Sequence, residues 1–517
     1  MDAYIRFIVL TLSASLAACG GGGGGSGWTS GVFLPSDSFA AQCVAPRSGT
    51  DPATGLPYPD VQGEVLDENN FLRSWSDETY LWYDEISDQD PAGFNNPLVY
   101  FDELRTNATT ASGAFKDKFH FIYPTDEWFQ LSQSGVSAGY GAAWIILSQQ
   151  PPRELVVAFT EPNSPATGPT VNLARGARIL FVDGHDLTNT NDVDALNAGL
   201  FPESAGEVHT FVVEDLGSGG NTREITMTSE PVTSSPVQNV NTVASPAGTV
   251  GYLLFNDHIA TAEEGLIDAV ELLAGENIDE LVLDIRYNGG GYLAIASQIA
   301  YMIAGDARTA GRTFEEMEFN DKHPSTNPVT GEPLQPFPFL NTTSGLSSLP
   351  SGQPLPSLDL SRVIVLTGPN TCSASEAIMN SLRGVDFEVV QIGSTTCGKP
   401  YGFYDTDNCG TTYFTIQFRG VNEKSFGDYT DGFSPANTVS VEGEEVPGCS
   451  VADDFEHALG DPLESRFQSA LTWLETENCP AATGITAPGL AKASAPLSAT
   501  DGIMPRTPWR ENRILRR

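Results

Sequence analysis

Residues 362–384, RVIVLTGPNTCSASEAIMNSLRG, decide the fold: an apolar strand-like run, a loop with two serines, then a short helix-like run. Two neighbouring segments open in the same order. ELVLDIR (280–286) leads through YNGGG (287–291) into YLAIASQIAYMIAG (292–305), and FEVVQI (387–392) leads into GSTTCGK (393–399). Strand and helix patterns alternating in this way predict parallel strands of one sheet. Their loops then emerge at a common carboxyl edge, where open α/β sheets gather their sites. Asn288–Gly291, Ser373 and Lys399 are thereby expected to meet, although they lie far apart in sequence.

Working outward, 517 residues suffice for about three domains. An apolar fraction of 40% supplies buried cores, and no internal apolar run reaches the ~20 residues of a spanning helix. With 66 acidic and 26 basic side chains the formal charge is −40, which argues against nucleic acid or an anionic membrane as partner. The amino terminus, MDAYIRFIVLTLSASLAAC, has an early arginine, a short apolar stretch and small residues before Cys19, the build of a secretory signal. Its LAAC ending resembles a bacterial lipobox. That resemblance implies a signal segment over residues 1–19 and lipidation of Cys19. Because Gly20 follows, it also implies an outer-membrane lipoprotein facing the periplasm, touching membrane only through its lipid. Six cysteines remain: Cys43, Cys372, Cys397, Cys409, Cys449 and Cys479. Export permits disulfides, and Cys397 and Cys409, flanking a predicted hairpin, are the expected pair. There is no CxxC and no HExxH, so neither a metal nor another cofactor is predicted.

Residues 20–60, rich in Gly, Ser, Pro and Asp, read as a flexible tether. In residues 61–133, FLRSWSDETYLWYDEI and NPLVYFDELR space aromatics and leucines at three and four residues, predicting a small helical domain. Residues 134–232 turn to short strands, among them GAAWIIL, ELVVAFT and VHTFVVED, with one helical segment, NTNDVDALNAGL. Within them PNSPATGPTVNLARGARILFVDGHDL resembles the core of a PDZ domain of the bacterial protease type, although Ala177 stands where an Asp is usual. That resemblance implies that Gly139, Tyr140 and Gly141, in SAGYGAAW, offer N–H groups to a peptide's terminal carboxylate, the peptide adding as a strand. Residues 233–480 hold the strand–loop–helix units. Residues 481–517 lose periodicity and read as a disordered or processed tail, with five arginines near its end.

The loops carry the chemistry. NGGG serves equally as a tight turn or as a backbone that approaches a substrate closely enough to form an oxyanion hole. GSTTCGK fits the first seven positions of a phosphate-binding loop, but Pro400 stands where Ser or Thr must hold magnesium, and turn and strand residues follow in place of a helix. Nucleotide is therefore not expected as a ligand. Ser373 at a helix start can be an N-cap, with Glu376 at the capping-box position. It can also be a nucleophile, if a lysine whose pKa burial has lowered takes its proton. Lys399, among Cys397, Gly398 and Pro400, sits in a small and apolar turn suited to that task, and the N–H of Ala374 favours a developing oxyanion.

LVLDIRYNGGG, TCSASE and GSTTCGK, preceded by a PDZ-like domain, are similar to the carboxyl-terminal processing, or tail-specific, S41 peptidase family over residues 70–480. The resemblance implies a multidomain α+β chain: a small helical N-terminal domain, a PDZ-like β domain and an α/β protease core of the crotonase-like type. It implies Ser373 as nucleophile, Lys399 as general base, and backbone N–H groups of Gly290 or Gly291 and of Ala374 as the oxyanion hole. Glu376 and Thr396 fall at positions that the family motifs also fill, as supports. Two departures concern a third catalytic residue. Relatives often carry Gln four places after the lysine, where this chain has Phe403; others use an Asp in the helix, where Arg383 and Gly384 stand. Asp386 and Gln417 are the nearby candidates. A Cys372–Cys397 bridge would lie beside both catalytic residues and make activity redox dependent, and it is not expected. The resulting expectation is an exported serine endopeptidase acting on polypeptides through their C-terminal ends. The alternative is a catalytically inactive, protease-like scaffold that binds peptides.

Overall fold

Parallel strands buried on both faces need unbroken apolar runs, and LVL, VIVL and VVQI supply them. In the computed structural model, which describes residues 28–480 except 53 and 439–442 together with the backbone of 512 and 513, these runs form the centre of one sheet. Its order is Val237–Ser245, Gly248–Phe255, Glu280–Asp284, Arg362–Thr367, Glu388–Gly393 and Gly448–Ser450. The first pair is antiparallel and the rest are parallel. Side chains alternate between faces. Leu281, Leu283, Val363, Val365 and Val389 meet the helices Ala262–Gly275, Leu293–Ala304 and Ala374–Gly384. Val282, Ile364, Leu366 and Val390 meet Phe467, Ala470 and Leu474 of the helix Ser465–Thr476. Each such buried side chain is worth roughly 1.5–3 kcal/mol, so the strand ends that carry the loops are held from both sides.

The strand-rich region forms its own antiparallel sheet, ordered Thr222–Thr228, Val208–Glu214, Arg178–Val182, Glu154–Thr160 and Ala142–Ser148. The helix Val193–Leu200 lies over it, with Leu196 in a core shared with Trp144, Leu155, Ile179 and Phe211. The helical region, by contrast, is completed by distant chain. Helices Val65–Thr79 and Pro97–Glu103, the second started by an Asn96 cap and a proline, place Phe71, Trp75 and Phe101 against Tyr413. Tyr80, Trp82, Phe119 and Trp128 pack with Tyr401, Phe403, Phe414 and Ile416, and the strand Phe121–Pro124 pairs with Thr411–Phe414. The segment after Lys399 thus belongs as much to the N-terminal helices as to the core domain.

Two expectations are corrected. Residues 28–60 are not a free tether: Cys43 is buried and disulfide-bonded to Cys409, Ser36 binds Glu78, and Arg47 pairs with Asp60. The expected Cys397–Cys409 pair does not form. Cys409 pairs with Cys43, and Cys397 pairs with Cys372 across to the loop that carries Ser373, the bridge that was not expected; Cys449 pairs with Cys479. The signal segment, Cys19 and nearly all of the tail lie outside the described residues.

Candidate active site

Glu376 organises the site. It is fully buried in the first turn of the helix Ala374–Gly384. Its Oε2 accepts the backbone N–H of Ser373 at 2.9 Å and that of Lys399 at 2.8 Å. Its Oε1 accepts the Thr396 hydroxyl at 2.5 Å and the Gly398 N–H at 2.8 Å. Burial raises its pKa above the ordinary carboxyl range, against the lowering effect of these four bonds. One carboxyl thus ties the start of the helix Ala374–Gly384 to the loop of the next strand, and the residues Ser373, Thr396 and Lys399 come together. Thr396 also accepts the N–H of Phe433 at 2.7 Å, which anchors the loop from its far side.

Ser373 has φ 59° and ψ −119°, a backbone conformation that L residues rarely adopt and that costs of order 1–3 kcal/mol. Its neighbours over-determine it. Cys372 N–H donates to the Asn288 carbonyl at 3.1 Å, Ser375 N–H to the Cys372 carbonyl at 3.1 Å, and Ala377 N–H to the Ser373 carbonyl at 2.9 Å. The Ser373 hydroxyl makes no hydrogen bond within the protein, whereas that of Ser375 donates to the Asn288 carbonyl at 3.0 Å. The two serines of the opening stretch therefore differ: the Ser375 hydroxyl is spent on structure and that of Ser373 is not. Lys399 is fully buried, its ammonium nitrogen 5.1 Å from the ring centre of Phe119 and 4.4 Å from that of Phe403. The aromatic residue at the place where relatives carry Gln is thus a wall of the lysine's chamber.

The glycine turn closes the site. A Cβ on Gly290 (φ 104°) would lie 2.7 Å from Ser373 Cβ and 2.9 Å from the Ala374 nitrogen, so only glycine lets the two loops touch. Gly290 N–H is spent on Asn288 Oδ1 at 3.0 Å. Of the backbone N–H groups expected to face an oxyanion, that of Gly290 is therefore engaged within the turn. Asn288 also accepts from His258 Nδ1 at 2.9 Å and donates to the Phe255 carbonyl at 3.0 Å. His258 is fully buried, and desolvation pulls its pKa down to about 3, so the ring is neutral. Sequence reasoning had no role for His258 and took Asn288 only as part of a turn; the Asn next to a glycine run was the one available signal.

Of the remaining candidates, Gln417 is buried on the segment that follows the lysine loop, where its Oε1 accepts the Tyr404 N–H at 2.9 Å and its own N–H donates to the Gly402 carbonyl at 3.0 Å. Asp386 is not part of the site: it lies beyond the far end of the helix, exposed and paired with Lys424. Cys372, Glu376 and Cys397 cluster closely enough to suggest metal ligands, but both sulfurs are consumed in the disulfide. Gly139, Tyr140 and Gly141 form a loop of the β domain. Tyr140 is buried with its hydroxyl on the Gly199 carbonyl at 2.9 Å, and the Tyr140 carbonyl accepts the Ala166 N–H at 2.9 Å.

The sequence profile of peptidase family S41 matches residues 249–402, a span that holds Gly290, Gly291, Ser373 and Lys399, and that of the S41 N-terminal domain matches residues 67–121. Those two spans are similar to the protease core and the N-terminal domain of peptidase family S41. A chloroplastic carboxyl-terminal-processing peptidase 2 of Arabidopsis thaliana is 29% identical over 170 residues, 32% of this chain and 31% of its own. A chloroplastic C-terminal processing peptidase of Tetradesmus obliquus is 30% identical over 163 residues, 29% of this chain and 34% of its own. The chain thus spans about a third of the length of these curated relatives. The fold is shared with a Bacteroides fragilis chain assigned to the S41 proteases, at a TM-score of 0.57 and 22% identity, over 81% of this chain and 98% of that one.

Proposed function

We propose that this protein is a serine endopeptidase with a Ser373–Lys399 dyad. The observation that carries the reading is the convergence of the Ser373 and Lys399 amides on one oxygen of Glu376, beside a glycine turn packed on the nucleophile. In the first step Ser373 Oγ attacks the scissile carbonyl while Lys399 takes its proton. Gly291 and Ala374 N–H groups stabilise the oxyanion, a contribution of about 3–4 kcal/mol per donor in comparable sites. The lysine returns the proton to the leaving amine. A water activated by the same lysine then hydrolyses the acyl-enzyme.

Substrates of this reading are extended polypeptides. Two features support that class. The backbone of Asn512–Arg513 pairs in parallel with Gly291–Tyr292, so the edge beside the nucleophile accepts a strand. The β domain ends its sheet with the strand Ala142–Ser148 next to the Gly139–Gly141 loop, the arrangement by which a PDZ-like domain would select chain ends. Export as a lipoprotein anchored through Cys19 at the outer membrane completes the reading, on the sequence features given above.

The test is cleavage of an unfolded protein by the purified chain beside Ser373→Ala and Lys399→Ala. Both variants should lose roughly 10³-fold or more in turnover while keeping the parental circular dichroism. Turnover retained in Lys399→Ala sinks the dyad. Binding without cleavage by the parent would instead favour the inactive scaffold.

A further inference from the structure

The disulfide between Cys372 and Cys397 occupies a position that no structural need of the sheet explains. Cys372 immediately precedes Ser373, and Cys397 lies two residues before Lys399. The bridge therefore runs between the two loops whose relative placement is the dyad. Other contacts reinforce it from both ends: the Cys372 N–H is on the Asn288 carbonyl at 3.1 Å, the Cys397 N–H on the Thr371 carbonyl at 3.0 Å, and Lys118 Nζ on the Cys397 carbonyl at 2.8 Å. The other two disulfides tie the amino-terminal segment and the last helix to the body, away from these loops.

We propose that Cys372 and Cys397 are positioning residues: their disulfide holds Ser373 against Lys399, and its reduction lowers turnover. Without the bridge, the two loops rely on hydrogen bonds, those through Glu376 and that of the Cys397 N–H on the Thr371 carbonyl, each worth only about 1 kcal/mol net. A displacement of ~1 Å between reacting groups costs about a hundredfold in rate. Cys372 is buried, but Cys397 is partly exposed, which opens the bond to a small dithiol at that sulfur. A thiolate of the dithiol attacks Cys397 Sγ and displaces Cys372 as thiolate. The second thiol then closes on the mixed disulfide and releases Cys397. The protein gains two electrons and two protons, and the dithiol leaves as a cyclic disulfide.

The inference rests on the dyad reading, and the experiment separates the two. Turnover of an unfolded protein is measured for the oxidised parent and after dithiothreitol, with thiols counted by mass spectrometry. The same is done in a Cys43→Ser/Cys409→Ser/Cys449→Ser/Cys479→Ser background, where only this pair responds, and for Cys372→Ser/Cys397→Ser. Expected are a fall in kcat of tenfold or more on reduction, with KM changed less than threefold and an altered pH profile, and equally low turnover in Cys372→Ser/Cys397→Ser that dithiol no longer changes. The four-serine background should keep the response. Parental kcat after complete reduction, or in Cys372→Ser/Cys397→Ser, overturns the inference while leaving the dyad standing. If the oxidised parent does not cleave at all, the dyad reading fails and amide exchange decides: unchanged protection of residues 394–400 on reduction overturns the positioning role as well.

Discussion

Glu376 and Glu315 are both buried in the core domain, with 0% and 1% of their surface exposed, and the protein treats them oppositely. Glu376 receives four hydrogen bonds from two segments of chain. Glu315, in the strand Thr313–Phe319, has no hydrogen-bond donor to either oxygen. It fits because Gly420, opposite Met317 on the paired strand, leaves room beside it; a Cβ there would lie 2.3 Å from the Glu315 carboxyl carbon. Burial alone pushes the Glu315 carboxyl up to about 8. Both pKa values are raised, so burial by itself does not make an organising centre. The donors do: they convert a desolvated acid into a fixed point from which two loops are hung, and a carboxyl without them is simply a costly neutral acid.

The sharpest way to break this comparison is Glu376→Gln, which keeps the shape and turns one acceptor into a donor. Its amide must then point N–H groups at amides or a hydroxyl that already donate. Each buried group left unpaired costs about 1–3 kcal/mol. Turnover should fall about a hundredfold or more, as expected for loops displaced by ~1 Å, with a lowered melting temperature and a smaller change in KM. Parental turnover in this variant would mean that the amides of Ser373 and Lys399 are placed by something other than Glu376.

Glu315→Gln should act with the opposite sign, and only at higher pH. The folded-state pKa of about 8 exceeds the unfolded value of 4.5, so the folded protein binds the extra proton between them. The parent's stability contribution from this residue is complete below pH ~4.5 and is lost as pH rises through ~8. Glutamine mimics the protonated acid and removes that slope. Denaturant unfolding should give near parity at pH 4.5 and a gain on the order of 4 kcal/mol at pH 8. A difference independent of pH would show that Glu315 meets solvent or a donor in the folded state.

Much of the site could be read from sequence because its parts are local. The runs LVL and VIVL announce buried parallel strands, and the loops that follow them must share an edge, which brings Ser373 and Lys399 together before any contact is known. What was illegible depends on long-range placement. Cys43 and Cys409 are 366 residues apart, and nothing in either neighbourhood names the other. The choice of Cys397 with Cys409 followed from closeness in sequence; burial of Cys372 beside the lysine loop decided otherwise. Asn288 and His258 face each other across 30 residues, so their joint support of the glycine turn emerges only when adjacent strands are paired. Glu315 lies in TFEEMEF, where every second side chain could have faced water; the packing of that strand on the helix Ala374–Gly384 and its pairing with Phe418–Val421 bury it.

The smallest effect belongs to Asp386, and it tests whether an acid outside both environments has any part in the reaction. It follows the helix Ala374–Gly384, close in sequence to Arg383 and Gly384, where the family resemblance would place a catalytic Asp. Here, however, it sits past the helix end at φ 58°, 74% exposed, held by Lys424. The helix thus separates it from Ser373, and its contact with Lys424 lowers its pKa, chiefly through their hydrogen bond. Surface pairs of this kind contribute little to stability. Asn tolerates the left-handed backbone, so Asp386→Asn removes the charge without straining the turn. Turnover and melting temperature should both match the parent, at low and at high salt. A fall in kcat with an unchanged melting temperature would return Asp386 to the mechanism, and with it the idea that a third acid acts on the lysine from the helix's far end.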